Sequence, residues 1–286
     1  MDRRISPPFV RQAVEQGREK LRAAGIDSPK LCAEVLLASV LDVERTWLVL
    51  HFDYRLNAGE LVRYQDLLER CAGHEPVAYL VGQKEFFGRS FWVSKDVLIP
   101  RPETEELAEV VLGHFDRDIA LSILDIGTGS GALAVTLAAH FRQSTVVALD
   151  LSGPALAVAK KNAAAHGLAR QIVFCQASLY LLPFFSSSFD CIVTNPPYIG
   201  ADEFTLLPPS VVQYEPRLAL LAGSTGLECY QSLSRSAFEL LRPGGMFFAE
   251  IGWQQRAGVL RAFSHWTQAR VEADLAGKDR MLIARK

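Results

Sequence analysis

The chain contains no run of about 18 apolar residues, the length a helix needs to cross a bilayer. The opening Met1-Asp2-Arg3-Arg4 leads into no apolar signal segment. Cysteine is sparse: Cys32, Cys71, Cys175, Cys191 and Cys229 are odd in number and scattered, with no Cys-x-x-Cys pair. That spacing points to neither a disulfide framework nor a zinc site. Cys175 and Cys191 fall in apolar strand-like runs and read as inert core thiols. Excess charge of one sign is missing too. The formal net charge is -2, which argues against a protein built mainly to grip nucleic acid. No metal site is expected. A reducing cytoplasm fits the whole set. Internal repeats and low-complexity linkers are also absent. What remains is an ordinary soluble composition, 49% hydrophobic and 22% charged, over 286 residues. That length suffices for a medium domain plus a small one.

Residues 1–75 are rich in helix formers. Val10 to Ala24 carries a charged face. Ser28-Pro29 has the form of an N-cap followed by proline at the first helical position. Leu31, Val35, Leu36 and Val40 follow at helical spacing, and Asn57 to Cys71 gives another amphipathic pattern. Residues 76–100 change character: Lys84 to Val93 reads as two short strands about a glycine, a hairpin linking two domains. Phe86, Phe87, Phe91 and Trp92 are expected in interdomain packing. A helix is expected from about Glu103 to Phe115.

From Ser122 onward, residues 101–286 alternate strand, glycine turn and helix. The strands expected are Ser122–Ile126, Thr145–Leu149, Gln171–Cys175, Phe189–Thr194 and Met246–Ile251. Helices Gly131–Phe141 and Pro154–His166 lie between them. This alternation implies α/β architecture with a parallel, doubly wound sheet. Gln268 to Ala284 reads as two further strands about Gly277-Lys278-Asp279.

Two turns on that sheet carry chemistry. Asp125-Ile126-Gly127-Thr128-Gly129-Ser130-Gly131 joins a strand to a helix, where glycines let the backbone turn tightly and approach a ligand. Asp150, at the end of the next strand, is placed to accept hydrogen bonds from ribose hydroxyls. These features alone do not separate a nicotinamide dinucleotide from S-adenosylmethionine, because both carry adenosine.

The second turn is Asn195-Pro196-Pro197-Tyr198. A strand cannot run through two prolines, so the chain leaves the sheet at the carboxyl edge, where α/β sheets bind ligands. The prolines lack N–H groups, so the turn offers carbonyls and the Asn195 side chain. Such a site suits a planar NH2 that donates two hydrogen bonds, with the Tyr198 ring beside it. This motif resembles that of S-adenosylmethionine-dependent methyltransferases acting on planar nitrogens. A hydride-transfer enzyme has no use for it. Asp125, just before the glycines, can attract the donor's amino group.

The whole chain resembles the HemK/PrmC family of protein-(glutamine-N5) methyltransferases. The most specific matches are Glu75 to Gly82, Leu98 to Glu105, Asn195 to Ile199, Tyr214 to Leu220 and Glu250-Ile251-Gly252. The resemblance implies a small helical N-terminal domain, a β-hairpin linker and a Rossmann-like class I methyltransferase domain. It implies S-adenosylmethionine as donor and the Gly-Gly-Gln glutamine of class 1 peptide chain release factors as acceptor. By position, Gly127, Thr128, Gly129, Ser130, Gly131 and Asp150 hold the donor. Ser178 replaces the family's usual acid near the adenine, leaving Leu179 or Tyr180 for apolar contact. Asn195 would bind both the donor side and the acceptor amide, which the Pro196 carbonyl would also grip, flanked by Pro197, with Tyr198 on the amide plane. No dedicated His or Glu base is expected.

Arg101 and Glu103 have two readings: they orient the acceptor loop or close over the donor, or they form a proline-bounded cap with a surface pair. Glu215 and Arg217 invite the same split, with the surface pair favoured. Two other acceptors share this chemistry, a ribosomal-protein glutamine and the N6 amine of adenine. The acidic balance and the match over the whole chain weigh against adenine.

Overall fold

The computed structural model describes residues 7–286; Met1 to Ser6, including the Met1-Asp2-Arg3-Arg4 start, lie outside it. Two compact units emerge. One comprises the chain up to Gly82 together with Pro209–Tyr214; the other comprises Gln83–Pro208 and Glu215–Lys286.

The smaller unit holds α1 (Val10–Ala23), α2 (Pro29–Leu41), α3 (Arg45–Leu50), α4 (Ala58–Ala72) and α5 (Val77–Val81). Leu21, Leu36, Leu37, Leu56 and Leu68 fill its core around Tyr64. The Tyr64 hydroxyl donates to the Ala33 carbonyl at 3.2 Å. Gly17 makes room for it, since a Cβ there would sit 2.3 Å from that hydroxyl. Asn57 caps α4 reciprocally with Glu60. Ser28 departs from expectation. Its backbone is left-handed (φ 51°) and its side chain makes no capping bond. An N-cap side chain reaches the first-turn amides from an extended backbone, which Ser28 lacks; Pro29 alone marks the start of α2.

The larger unit contains the hairpin β1 (Gln83–Phe86) and β2 (Arg89–Trp92), followed by α6 (Pro102–His114). Then come β3 (Ser122–Ile126), α7 (Ala132–His140), β4 (Thr145–Asp150), α8 (Gly153–Ala165), β5 (Ile172–Gln176) and β6 (Phe189–Thr194). After the short α9 (Ala201–Phe204) the chain forms α10 (Pro209–Tyr214) within the smaller unit. It returns with a 3-10 turn (Arg217–Ala219), α11 (Glu228–Leu240), β7 (Leu241–Glu250), α12 (Arg256–Ala262), β8 (Gln268–Ala273) and β9 (Asp279–Arg285).

Seven strands form one sheet in the order β5-β4-β3-β6-β7-β9-β8. The first five are parallel, and β9 runs antiparallel to both β7 and β8. The Rossmann-like α/β expectation holds. Consecutive side chains bury opposite faces, as the period of a strand requires. Ile123, Cys191, Val193 and Phe248 meet α6 and α7 on one side. Leu124, Ile126, Ile192 and Phe247 meet α11 and α12 on the other. Burial pushes the Cys191 thiol well up, in keeping with an inert core group; Cys175 is only half-buried.

Phe86 and Phe91 correct the expectation of interdomain packing. Both are fully buried inside the larger unit, against Leu107, Val111 and Leu137. The pairing of β1 with β2 turns both rings to one face of the hairpin. The chain order β3–β4 before β6 places a change of direction beside β3, and the carboxyl ends of β3, β4 and β6 open there. Among the described residues no helix is long and apolar enough to cross a membrane.

Candidate active site

The loop after β3 is shaped by three left-handed glycines, Gly127 (φ 74°), Gly129 (φ 54°) and Gly131 (φ 81°). At Gly131 space is also limiting: a Cβ there would lie 3.2 Å from the Ala159 Cα of α8. The Gly127 and Thr128 amides both donate to the Leu149 carbonyl of β4, at 2.8 and 2.9 Å. Asp150 follows in that strand. Its two oxygens accept from the Gly129 and Ser152 amides, each at 2.9 Å. Asp150 therefore fixes the glycine loop. Each carboxylate oxygen keeps a further lone pair for a ligand.

Asn162, buried on α8, was not singled out by sequence. It donates to the Ser130 carbonyl at 2.8 Å and exchanges two bonds with the Trp92 backbone. The glycine loop and the hairpin are thus clamped by one amide. An asparagine in the middle of a helix was the available signal, since burying it demands such partners.

Asp125 is fully buried at the end of β3. Its Oδ2 accepts from Thr128 Oγ1 at 2.6 Å and from the Ala134 amide at 3.2 Å. Among the described residues its Oδ1 has no hydrogen-bond partner. Burial pushes its pKa up to about 7, against the pull of those two hydrogen bonds.

The second turn leaves β6. Thr194 donates to the Ile126 carbonyl at 2.7 Å, tying the strand ends together. A Cβ on Gly127 would come 3.9 Å from the Asn195 carbonyl, so the two turns are neighbours. Gln255 anchors the Tyr198 carbonyl at 2.7 Å, and Ile199 pairs across to Leu220 and Ala222.

Behind this turn lies a buried polar chain. Asn195 Nδ2 donates to Thr104 Oγ1 at 3.0 Å. Thr104 Oγ1 donates to Glu250 Oε2 at 2.6 Å. The Tyr198 hydroxyl donates to Glu250 Oε1 at 3.2 Å. Burial pushes Glu250 up from the ordinary carboxylate value, opposed by Thr104, by the charge of Arg280 and by Tyr198.

Both turns face one cleft of roughly 1180 Å³, open mouth included. Of the sequence-derived residues, Gly127, Thr128, Gly129, Ser130, Asp150, Leu179, Asn195, Pro197 and Arg101 line it. Ala177, Ser178 and Tyr180 line it beside Leu179, and Thr104 lines it beside Asn195. Asp125, Gly131, Pro196, Tyr198 and Glu103 are not among the lining residues. Pro196 is buried. Tyr198 belongs with the core behind the cleft, its ring half-buried among apolar neighbours and its hydroxyl on Glu250. Of the two readings of Arg101 and Glu103, the surface pair gives way to Arg101 paired with Glu215, whose side chain is buried and also accepts from the Ile99 amide. Glu215 is therefore an anchor for the Ile99-Pro100-Arg101 segment and not a surface group. Among the described residues no three His, Cys, Asp or Glu side chains gather as metal ligands.

Comparison with known proteins identifies the family. Residues 12–82 match the family described as PrmC N-terminal domain, and residues 123–204 match one described as Methyltransferase domain. The release factor glutamine methyltransferase of Nitratidesulfovibrio vulgaris is 40% identical, over 99% of this chain and 98% of its own. That of Koribacter versatilis is 39% identical, over 97% and 98%. The chain belongs to the release factor glutamine methyltransferase family. Among solved structures, the crystal structure of TrmN from Thermus thermophilus is similar at 28% identity and a TM-score of 0.47, over 63% of this chain and 48% of that one. Members of this methyltransferase family take their methyl group from S-adenosylmethionine. The residues present fit that donor: the glycine loop and Asp150 line the cleft, and each Asp150 oxygen retains acceptor capacity.

Proposed function

We propose that this chain methylates the side-chain amide nitrogen of the glutamine in the Gly-Gly-Gln motif of class 1 peptide chain release factors. The observation that carries the reading is the placement of Asn195 at the end of β6, lining one cleft with the glycine loop. When bound, S-adenosylmethionine supplies a methyl group on a positively charged sulfur. Gly127 to Gly131 and Asp150 hold the donor, and Leu179 contacts its adenine.

An amide nitrogen is a poor nucleophile because its lone pair is delocalised. Asn195 Oδ1, on the cleft wall, accepts an N–H hydrogen of the amide, fixes the nitrogen facing the methyl group, and stabilises positive charge as it builds there. The nitrogen loses a proton readily once alkylated, so water suffices to take it. Glu250 is not that base: it stands behind the lining, occupied by Thr104 and Tyr198. Pro197 and Arg101 border the acceptor side, and Glu103 stands near Arg101 on the first turn of α6.

The helical unit docks the body of the protein substrate while the cleft receives the glutamine loop. Val49, Leu50 and Phe52, each at least half exposed, supply an apolar surface for it. No nucleic acid is required, in keeping with a net charge of -2, and the cytoplasm is the site of action. Labelled donor offered with purified release factor, ribosomal proteins and adenine-containing DNA tests the reading. Label in the release factor alone supports it; label in either of the others replaces it.

A further inference from the structure

The hydrogens of the buried chain can be assigned from chemistry. A threonine hydroxyl has one proton to give and lone pairs to accept with. Glu250 lies at the end of β7 with only 1% of its surface exposed, and its two oxygens face the hydroxyls of Thr104 and Tyr198. A carboxylate can only accept. Thr104 therefore spends its single proton on Glu250, at 2.6 Å. What remains on Thr104 Oγ1 is acceptor capacity, which the Asn195 NH2 meets at 3.0 Å. The amide of Asn195 is thereby barred from turning over. With its oxygen toward Thr104, two acceptors would face one another, and a buried NH2 would lose its partner.

From this we propose that Thr104 and Glu250 are positioning residues that hold Asn195 Oδ1 toward the cleft and thereby select an NH2 acceptor over a carboxylate. The proposal rests on the glutamine-methylating reading above. Oδ1 in the cleft accepts from an amide NH2 and repels a carboxylate oxygen. The reversed amide would present N–H groups and welcome glutamate in place of glutamine. Three elements distant in sequence converge on this device: α6 gives Thr104, β6 leads to Asn195 and β7 ends in Glu250. The register sets them side by side, since Thr194 pairs with Ala249 in the sheet. Glu250 reaches Tyr198 as well, so one carboxylate governs both ends of the Asn195 to Tyr198 turn.

The test uses the full chain with Thr104→Val, Thr104→Ser and Glu250→Gln, a Gly-Gly-Gln peptide as acceptor and a Gly-Gly-Glu peptide as competitor. Thr104→Val keeps shape and removes the hydroxyl, so kcat should fall roughly ten- to a hundredfold. Donor Kd should stay within about threefold, since the relay does not touch the glycine loop. Thr104→Ser should recover most of the lost kcat. Glu250→Gln can donate to Thr104, which frees the Thr104 proton for Asn195 Oδ1. It should lower kcat and narrow the preference for the glutamine over the glutamate peptide by roughly fivefold or more. Loss in Thr104→Val with recovery in Thr104→Ser supports the proposal. Near-normal kcat in Thr104→Val, equal losses in both threonine variants, or an unchanged peptide preference in Glu250→Gln overturns it. If Thr104→Val fails to fold, the peptide preference of Glu250→Gln decides alone. Wild-type protein that transfers no methyl group to the glutamine peptide would instead overturn the reading on which the relay rests.

Discussion

Asn162 grips Trp92 by both of its main-chain groups: Oδ1 accepts from the Trp92 amide at 2.8 Å, and Nδ2 donates to the Trp92 carbonyl at 3.0 Å. The same Nδ2 donates to the Ser130 carbonyl at 2.8 Å, so the hairpin and the glycine loop share one anchor. Asn162→Ala leaves three backbone groups short of partners, the Ser130 carbonyl in a buried place and the two of Trp92 in a part-buried one. Unmet buried groups cost about 1–3 kcal/mol each, partly relieved by relaxation. Thermal unfolding should occur several degrees lower. Donor binding should weaken too, because the Ser130 backbone is released. A variant with wild-type melting temperature and donor Kd would show that the clamp carries no weight.

Gly131 tests the loop from another side. Alanine there must adopt φ 81° and place its Cβ 3.2 Å from backbone Cα of Ala159. Left-handed strain alone costs about 1–2 kcal/mol for a residue with a side chain, and the contact adds to it because α8 backbone must move. Gly131→Ala should lose donor affinity and stability together, whereas Gly167→Ala, also left-handed but with open space around it, should lose a little stability and no affinity. Calorimetry and urea unfolding of the pair separate the two costs.

Asp150→Ala removes the acceptor for the Gly129 and Ser152 amides along with the proposed ribose contact. Hydrogen bonds to a charged group contribute about 1.5–3 kcal/mol, so donor Kd should rise roughly ten- to a hundredfold. Calorimetry with S-adenosylmethionine measures it. An unchanged Kd would remove Asp150 from the donor site, and tight binding of a nicotinamide dinucleotide would overturn the assignment of the cleft.

Asp125 makes stability depend on pH. Its ordinary value of 3.8 is raised to about 7 by burial in the folded protein. Below pH 4 both states are protonated and its contribution is fully present. Between about pH 4 and 7 the unfolded chain ionises first. The folded state then loses up to about 1.4 kcal/mol per pH unit, and the loss ends above pH 7. Urea unfolding of donor-free protein should show this decline, and Asp125→Asn should flatten it. Parallel pH curves for both proteins would contradict the account.

The sequence made the sheet legible because its strands are short, apolar and bounded by glycines, and because both turns at its edge have side-chain chemistry of their own. Four of the five parallel strands begin within a residue or so of expectation, at Ser122, Thr145, Ile172 and Phe189. β7 instead begins earlier, at Leu241. There Arg242-Pro243-Gly244-Gly245 looks like a turn, yet the chain bulges out and rejoins the same neighbour at Cys191 and Met246. The short helices α3, α5, α9 and α10 were missed because each spans too few turns to show a period. Glu250 and Thr104 fall in matched motifs, yet their role is not legible there for a different reason: it lies in a contact joining residues 146 positions apart. Glu215, likewise, looks like a surface charge until the fold brings Arg101 and the Ile99 amide to it.

The central claim is most directly tested by tandem mass spectrometry of a class 1 release factor incubated with S-adenosylmethionine and either wild-type protein or Asn195→Ala. The account predicts one added methyl group on the glutamine of the Gly-Gly-Gln motif, fixed to its side-chain nitrogen, with the rate at least roughly a hundredfold lower in Asn195→Ala. Methylation elsewhere in the release factor, or equal rates from the two proteins, would contradict it.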